Sequence, residues 1–450
     1  MVARRILDSL TPGWQQIGAV WLPLPHVLNM IPVQVDAWYR NGASAVVISV
    51  LAMALAAGSL SSIILRTTGS IVAACTGAAL LLLNPNVLYL QSTPMTEPLL
   101  FGLTLFSIAA AAAWVDGWLP QSSGSTAIPG LALAAACLTR YEAWPITAAI
   151  IPLACSVLLR RGVPWRHAFA GVARLAVWPA VAVLVFSANS RWVVGSWFAS
   201  GDFFVPENVE ALGHPLVAWQ QVREGLTQLA GPMLPRAGYI GAAVVLWAWV
   251  RSPGRAPLVL LLALFAAAAL PVVAYSQGHP FRIRYDLPLV IASAAAAAGG
   301  ISVLWRPLRI PAAVLVVAFT MRHAWPIDHQ APLVLESQRE AANMVGRQAV
   351  TAYLRHHYEG GGIMMSMGSL GHYMHDLSLA GFDLEDFLHE GNGEIWTFAM
   401  LRPRGHAGWL IIERSAEGGD ALYHASLRPR WLEGFVEVAQ GGGVVLYRER

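Results

Sequence analysis

Long apolar runs, broken at intervals by short polar loops, fill most of the chain up to about residue 324. Roughly 20 apolar residues are needed to cross a bilayer core of about 30 Å. On that measure the pattern predicts ten spanning helices, at 41–65, 69–90, 98–115, 127–140, 144–160, 167–190, 237–251, 256–276, 286–305 and 309–323. Trp144, Trp165, Trp192, Trp247, Trp249 and Trp305 fall near span ends, where interfacial aromatic belts lie. Pro271, Pro288 and Pro311 lie within or close to spans, where proline kinks a helix.

Beyond residue 324 the pattern changes. Residues 336–358 repeat apolar positions near one helical face (Ala342, Val345, Val350, Tyr353, Leu354). Segments 361–367, 408–413 and 443–447 read as strands, and 371–387 as a second helix or loop-helix. The predicted fold is a polytopic α-helical membrane protein with a small C-terminal α/β soluble domain. Its predicted parts are a juxtamembrane segment (1–40), a transmembrane domain (41–324) and a soluble domain (325–450).

Composition agrees with this division. Of 450 residues, 56% are hydrophobic and 12% charged, half the charged share of an ordinary soluble domain, which is about 25%. A soluble enzyme and a disordered chain are both excluded. Residues 1–324 carry a net charge of about +9 and residues 325–450 about −6. The sum, +3, gives no nucleic-acid signal. The sequence contains no lysine, so every fixed positive side chain is arginine. Cys75, Cys137 and Cys155 lie in apolar runs and form no disulfide or zinc pattern.

One set of short loops carries Arg66, Arg160, Arg161, Arg166, Arg251, Arg255, Arg306 and Arg309, with Asp116 its only acid. The positive-inside tendency makes this set cytoplasmic. Both ends of the chain then lie outside. The tail with Arg4 and Arg5 would have to cross the membrane ahead of the first span, although residues 1–10 contain no signal-peptide apolar region. We therefore expect a preceding helix upstream of Met1, with an inverted orientation as the alternative.

In this topology the costly polar residues gather on the outer face. They are Asp8, His26 and Asp36; Glu97; Arg140, Tyr141 and Glu142; Asp202; and His279, Arg282, Arg284, Tyr285 and Asp286. Ionisable groups at membrane depth mark functional cavities. Arginine forks match phosphate, and a carboxylate accepts a proton from an attacking hydroxyl. The set suits chemistry on a lipid-linked phosphate.

Four stretches carry a resemblance. They are the segment from Ala3 to His26, the Asn84–Pro98 stretch ending Pro-Met-Thr-Glu-Pro, Leu138-Thr-Arg-Tyr-Glu-Ala-Trp144, and Arg282-Ile-Arg-Tyr285. Together they resemble the bacterial GT-C membrane glycosyltransferases, related to protein mannosyltransferases and the lipid A aminoarabinose transferase. The likeness covers most of residues 1–324 and is silent on substrate. It implies a polyprenyl-phosphate sugar donor, inversion at the anomeric carbon, and an acceptor hydroxyl on a lipid, glycan or protein of the cell envelope. It places the protein in the cytoplasmic membrane with its C-terminal domain outside, and requires no cofactor. The hallmark aspartate of that family would fall before Met1, which again points upstream.

The resemblance assigns Glu97, and less directly Asp8, to the catalytic set. Arg4, Arg5, Arg140, Tyr141, Glu142, Arg282, Arg284 and Tyr285 are assigned to donor phosphate and sugar. His26 and Trp396 are expected to contact acceptor or sugar. Arg282 and Arg284, two residues apart after Gly278 and Pro280, would face one side of an extended segment. His372, His375 and His389 match no zinc spacing and read as a solvated face. The alternatives are a transporter or flippase of lipid-linked sugar, and a non-catalytic GT-C-like protein.

Overall fold

Helices dominate the transmembrane part because its apolar runs must satisfy their own backbone groups away from water. The computed structural model describes every residue except 19–20, 118–124, 196, 198–206, 339–340, 417–418 and the side chain of residue 194. Asp202 lies outside the described residues. Each of the ten predicted spans contains helix, and among the described residues seven helices are long and apolar enough to cross a membrane. These are Ala43–Thr68, Glu97–Asp116, Ala143–Arg160, Trp165–Val193, Met233–Arg251, Pro253–Ser276 and Ile283–Val303.

Three expected spans differ. The segment 69–90 is two helices, Ile71–Leu82 and Pro85–Gln91, bent by 70°. The break is local chemistry: the Asn84 side chain accepts from the Asn86 and Val87 amides, and Pro85 opens the second helix at its first position. The fourth expected span is a helix of 11 residues, Ala127–Cys137, too short to cross alone. Arg306–His323 has the length, but Arg306, Arg309 and Arg322 leave it outside the apolar group. The 256–276 span begins as a long 3-10 run, Pro253–Ala268, and becomes α-helical at Ala269–Ser276.

The helix Leu287–Val303 is the axle of the bundle, with all of its residues buried. Its sequence, mostly alanine, glycine and serine, lets neighbours approach to backbone distance, as small residues do in membrane bundles. A Cβ on Gly241 would stand 2.2 Å from the Ala296 carbonyl oxygen, and one on Gly300 2.5 Å from the Gly241 Cα.

The C-terminal region builds a five-stranded sheet from β1 (Ile363–Met365), β2 (Phe387–Leu388), β3 (Trp409–Glu413), β4 (Phe435–Gly441) and β5 (Val444–Glu449). The order is β2-β1-β3-β5-β4. β1 is parallel to β2 and β3, whereas β3–β5 and β5–β4 are antiparallel. Two apolar clusters cover it: Ile363, Met365, Ile411 and Leu446 face one, and Met364, Leu410 and Ile412 the other. This alternation is that of a sheet buried on both faces. The sequence reading missed β2 and β4, because β2 is two residues long and β4 alternates without a run of apolar residues.

Replacing Gly241 with leucine should force the Met233–Arg251 and Leu287–Val303 helices apart. Overpacking of this kind costs about 1–3 kcal/mol or more. Thermal unfolding of the solubilised protein should show a clear drop in melting temperature. An unchanged transition would contradict the close crossing.

Candidate functional site

The loop between the short helix Ala127–Cys137 and the helix Ala143–Arg160 brings Arg140 against the first turn of Glu97–Asp116. Glu97 is 1% exposed and Glu142 2%. Arg140 lies between them. Its Nε donates to both Glu142 carboxylate oxygens at 3.0 and 3.2 Å, and its Nη2 to Oε1 at 2.6 Å. Its Nη1 donates to Thr96 Oγ1 at 3.1 Å and stands 3.0 Å from Glu97 Oε1. The contact with Glu97 has ion-pair distance but not hydrogen-bond alignment, so both Glu97 oxygens are buried without a hydrogen bond. Burial opposes the Arg140 charge, yet Glu142 and Glu97 together raise its pKa above the ordinary arginine value. The trio carries a formal charge of −1.

Tyr285 continues the site. The Arg140 Cζ lies 5.9 Å from its ring centroid and the Arg284 Cζ 5.6 Å. Arg284 makes no side-chain hydrogen bond or ion pair among the described residues, and its Nε is buried without a partner. Arg282 turns elsewhere, to 3.7 Å from Glu336 Oε1. The expectation that the two arginines share one side is therefore corrected. Residues Ile283–Asp286 form a 3-10 turn, not an extended strand, and at three residues per turn positions i and i+2 diverge. Asp286, in the same motif, is fully buried and both of its oxygens lack a hydrogen bond. A Cβ on Gly225 would stand 2.1 Å from Asp286 Oδ2, so the glycine makes room for that carboxylate.

Other expected residues sit apart from this group. Arg4 Nε and Nη1 pair with Asp8 Oδ2 and Asp36 Oδ1, each at 2.7 Å. The Arg4 guanidinium also lies 4.4 Å from the Tyr39 ring centroid. Asp8 is thus engaged by its own helical neighbour one turn away. Arg5 is fully buried beneath the C-terminal domain. Its Nη2 donates to the Gln16 carbonyl at 2.9 Å, and its Nη1 contacts Met367 Sδ and stands 3.3 Å from His389 Nε2. This is a structural seam, extended by Gln16 Nε2 to the Gly391 carbonyl (3.1 Å), Asn392 Nδ2 to Thr11 Oγ1 (2.8 Å) and Tyr39 OH with Ser378 Oγ (2.6 Å).

Burial, with Arg5 nearby, pulls the His26 pKa down to about 4, so His26 is uncharged at neutral pH. Tyr141 packs edge-on against Trp144 and Phe186. Trp396 is half-buried in the second core cluster of the C-terminal domain. The reading of three histidines as a solvated face is corrected for His389, which is fully buried; His372 is exposed, with its Nε2 2.6 Å from Arg347 Nη1, and His375 is partly exposed. Among the described residues no group of three or more His, Cys, Asp or Glu is placed to hold a metal.

Sequence reasoning missed Glu336, because nothing local ties an acid after the last helix to Arg282. It also missed the structural work of the Asn-Pro-Asn motif. Asn84 and Asn86 each donate to the Leu229 carbonyl at 2.9 Å, and Asn86 Oδ1 accepts from the Leu333 amide at 3.0 Å.

No protein-family model matches the sequence, and no curated protein does. Solved structures do. ArnT from Cupriavidus metallidurans bound to undecaprenyl phosphate superposes with a TM-score of 0.57 at 14% identity, over 99% of this chain and 92% of that one. The apo state of the same protein gives 0.57 at 15% identity, over 99% and 91%. Such identity speaks to fold. The chain is a multi-pass membrane protein with the GT-C fold of ArnT.

Two outcomes follow from the buried charges. Arg140→Gln leaves Glu97 and Glu142 without their cation. Removing one partner of a buried ion pair costs about 3–5 kcal/mol, so melting should fall by several degrees; an unshifted melt would show that the carboxylates are hydrated. Separately, burial and then Arg5 hold the His389 pKa well below its usual value. The folded seam keeps His389 neutral, whereas the unfolded residue takes up a proton near pH 6.5. Seam stability should be flat above that pH and fall below it. Hydrogen exchange of residues 1–17 at pH 7.5 and 5.5 reads this, and His389→Gln should flatten the difference.

Proposed function

We propose that this protein is a membrane glycosyltransferase that moves a sugar, with inversion, from a polyprenyl-phosphate donor to an acceptor hydroxyl on the outer face of the cytoplasmic membrane. The observation that carries the reading is the buried Glu97 carboxylate, held beside Arg140 without a hydrogen bond of its own and linked through Tyr285 to the unpaired Arg284. The fold supports the donor class, since ArnT was crystallised with undecaprenyl phosphate. The arginine-rich loops opposite the site support its outward orientation. The C-terminal domain meets the site side through Glu336 and the seam, and on this reading lies outside with it.

In this mechanism Arg284 binds the donor phosphate, where a charge-assisted fork is strongest. Tyr285 supports Arg284 through its ring face. Arg140 does not bind phosphate on this reading, because Glu142 and Thr96 engage all three of its nitrogens and Glu97 stands against it at ion-pair distance. Its role is to hold Glu97 as a carboxylate in a buried position. Glu97 accepts the proton of the acceptor hydroxyl as that oxygen bonds to the anomeric carbon. The bond from the anomeric carbon to the phosphate oxygen breaks, its electron pair leaves on the phosphate, and Arg284 stabilises the added charge. Acceptor attack on the face opposite the phosphate gives inversion.

The test is sugar transfer by purified protein from polyprenyl-phosphate sugars, assayed by mass of the product. Glu97→Gln should abolish transfer while expression and melting stay near wild type; near-normal turnover would remove Glu97 from the site. Arg284→Ala should raise the donor KM by roughly tenfold or more, the cost of losing one charge-assisted contact. Transport of lipid-linked sugar across vesicles without any transfer product would replace the enzyme reading by that of a flippase.

A further inference from the structure

A groove of about 580 Å³ opens between the helices Pro215–Ala230 and Met233–Arg251, on the site side of the bundle. Arg223, Glu224, Thr227 and Gln228 line it from the first helix, Arg236 and Tyr239 from the second. Neither arginine makes a side-chain hydrogen bond or ion pair among the described residues, even though Glu224 lines the same groove. Two unpaired guanidinium groups from different helices thus line one cavity, which Gln228 also lines. Gln228 also lines a smaller cavity of about 200 Å³ with Phe281, Ile283 and Glu336, so the groove leads toward the Arg282–Asp286 turn.

Its level in the membrane follows from helix geometry. Met233–Arg251 has 19 residues, about 28 Å of helix, which matches the hydrocarbon core. Arg236 is in the first turn and therefore lies at headgroup depth. Further along the same helix Tyr239, Ile240, Leu246, Trp247 and Val250 are exposed, an apolar surface for acyl chains. Cation above and apolar surface below is the pattern of a phospholipid.

We propose that this groove binds the phosphate of an anionic membrane lipid, with Arg223 and Arg236 gripping it from two helices and the acyl chains lying along the exposed face of Met233–Arg251. Phosphate matches the forked donors of guanidinium groups, and with Glu224 the three charged residues of the lining still sum to +1. The inference stands apart from the transfer reaction, since neither arginine belongs to the group around Glu97.

The experiment is native mass spectrometry of the full-length protein, with phosphatidylglycerol or phosphatidylcholine added at equal concentration and retention compared. Wild type should retain phosphatidylglycerol roughly tenfold better, as two interfacial arginines would give. The double variant Arg223→Gln/Arg236→Gln should lose most of that preference, while Arg251→Gln/Arg306→Gln on the opposite face should keep it. Both groove arginines are exposed, so the variant should fold; its melting temperature in phosphatidylcholine checks this. Equal retention of the two lipids by wild type would overturn the proposal, as would an unchanged preference in the groove variant. Displacement of phosphatidylglycerol by millimolar inorganic phosphate would assign the groove to a soluble phosphate, and the lipid reading would fall.

Discussion

The close crossing of two helices at Gly241, Ala296 and Gly300 is the constraint from which the rest of the molecule is built. Lipid tails are as apolar as leucine, so helices in a bilayer gain little by hiding large side chains from one another. They gain by approaching until backbones touch. Leu287–Val303 does this against Met233–Arg251, and it is buried along its whole length. Its N-terminal end is fixed by the same packing. Tyr285 and Asp286 immediately precede that end, so the turn that presents Arg284 is anchored to the stiffest part of the bundle.

Around this axle the structure sets charge in two different ways. In the Glu97–Arg140–Glu142 trio, two buried carboxylates compete for one guanidinium and Glu142 takes most of its donors. Glu97 is left near the cation but without a hydrogen bond, a state that is expensive in a dry environment. At the seam, by contrast, the buried Arg5 faces a carbonyl, a thioether and an uncharged imidazole, with Glu390 the nearest compensating charge. Glu390 is itself occupied in capping the Met367 amide and bonding Ser366. The first arrangement leaves one buried carboxylate beside a cation without a hydrogen bond of its own. The second joins two parts of the chain, with Arg5 Nε and Gln16 Oε1 left without a hydrogen bond.

The sequence makes the spans legible because about 20 consecutive apolar residues have few other uses in a folded chain. Where the reading departed from the structure, a few polar residues decided the outcome. Asn84 captured two amides and broke a span, and three arginines at the two ends of the helix Arg306–His323 left it outside the apolar group. The Glu97, Arg140, Glu142 and Tyr285 group was legible through ordered motifs. The roles of Arg4, Arg5 and Asp8 were not, since their partners Asp36, Tyr39 and His389 come from distant or unremarkable stretches. An arginine that will bind a phosphate and one that will bolt two segments together look identical in a sequence. They differ only in what the fold brings to meet them.

The seam also dictates an order of assembly. Arg5 and His389 are 384 positions apart, so the segment that carries Arg5 finds this partner only after the helices between them have been synthesised. Until then the Arg5 guanidinium, buried in the finished molecule, waits without its C-terminal cover. The C-terminal domain therefore acts as a cover for the bundle as well as a separate fold. A chain that stops short of it keeps its helices, but the segment that carries Arg5 has no Met367 or His389 to dock against.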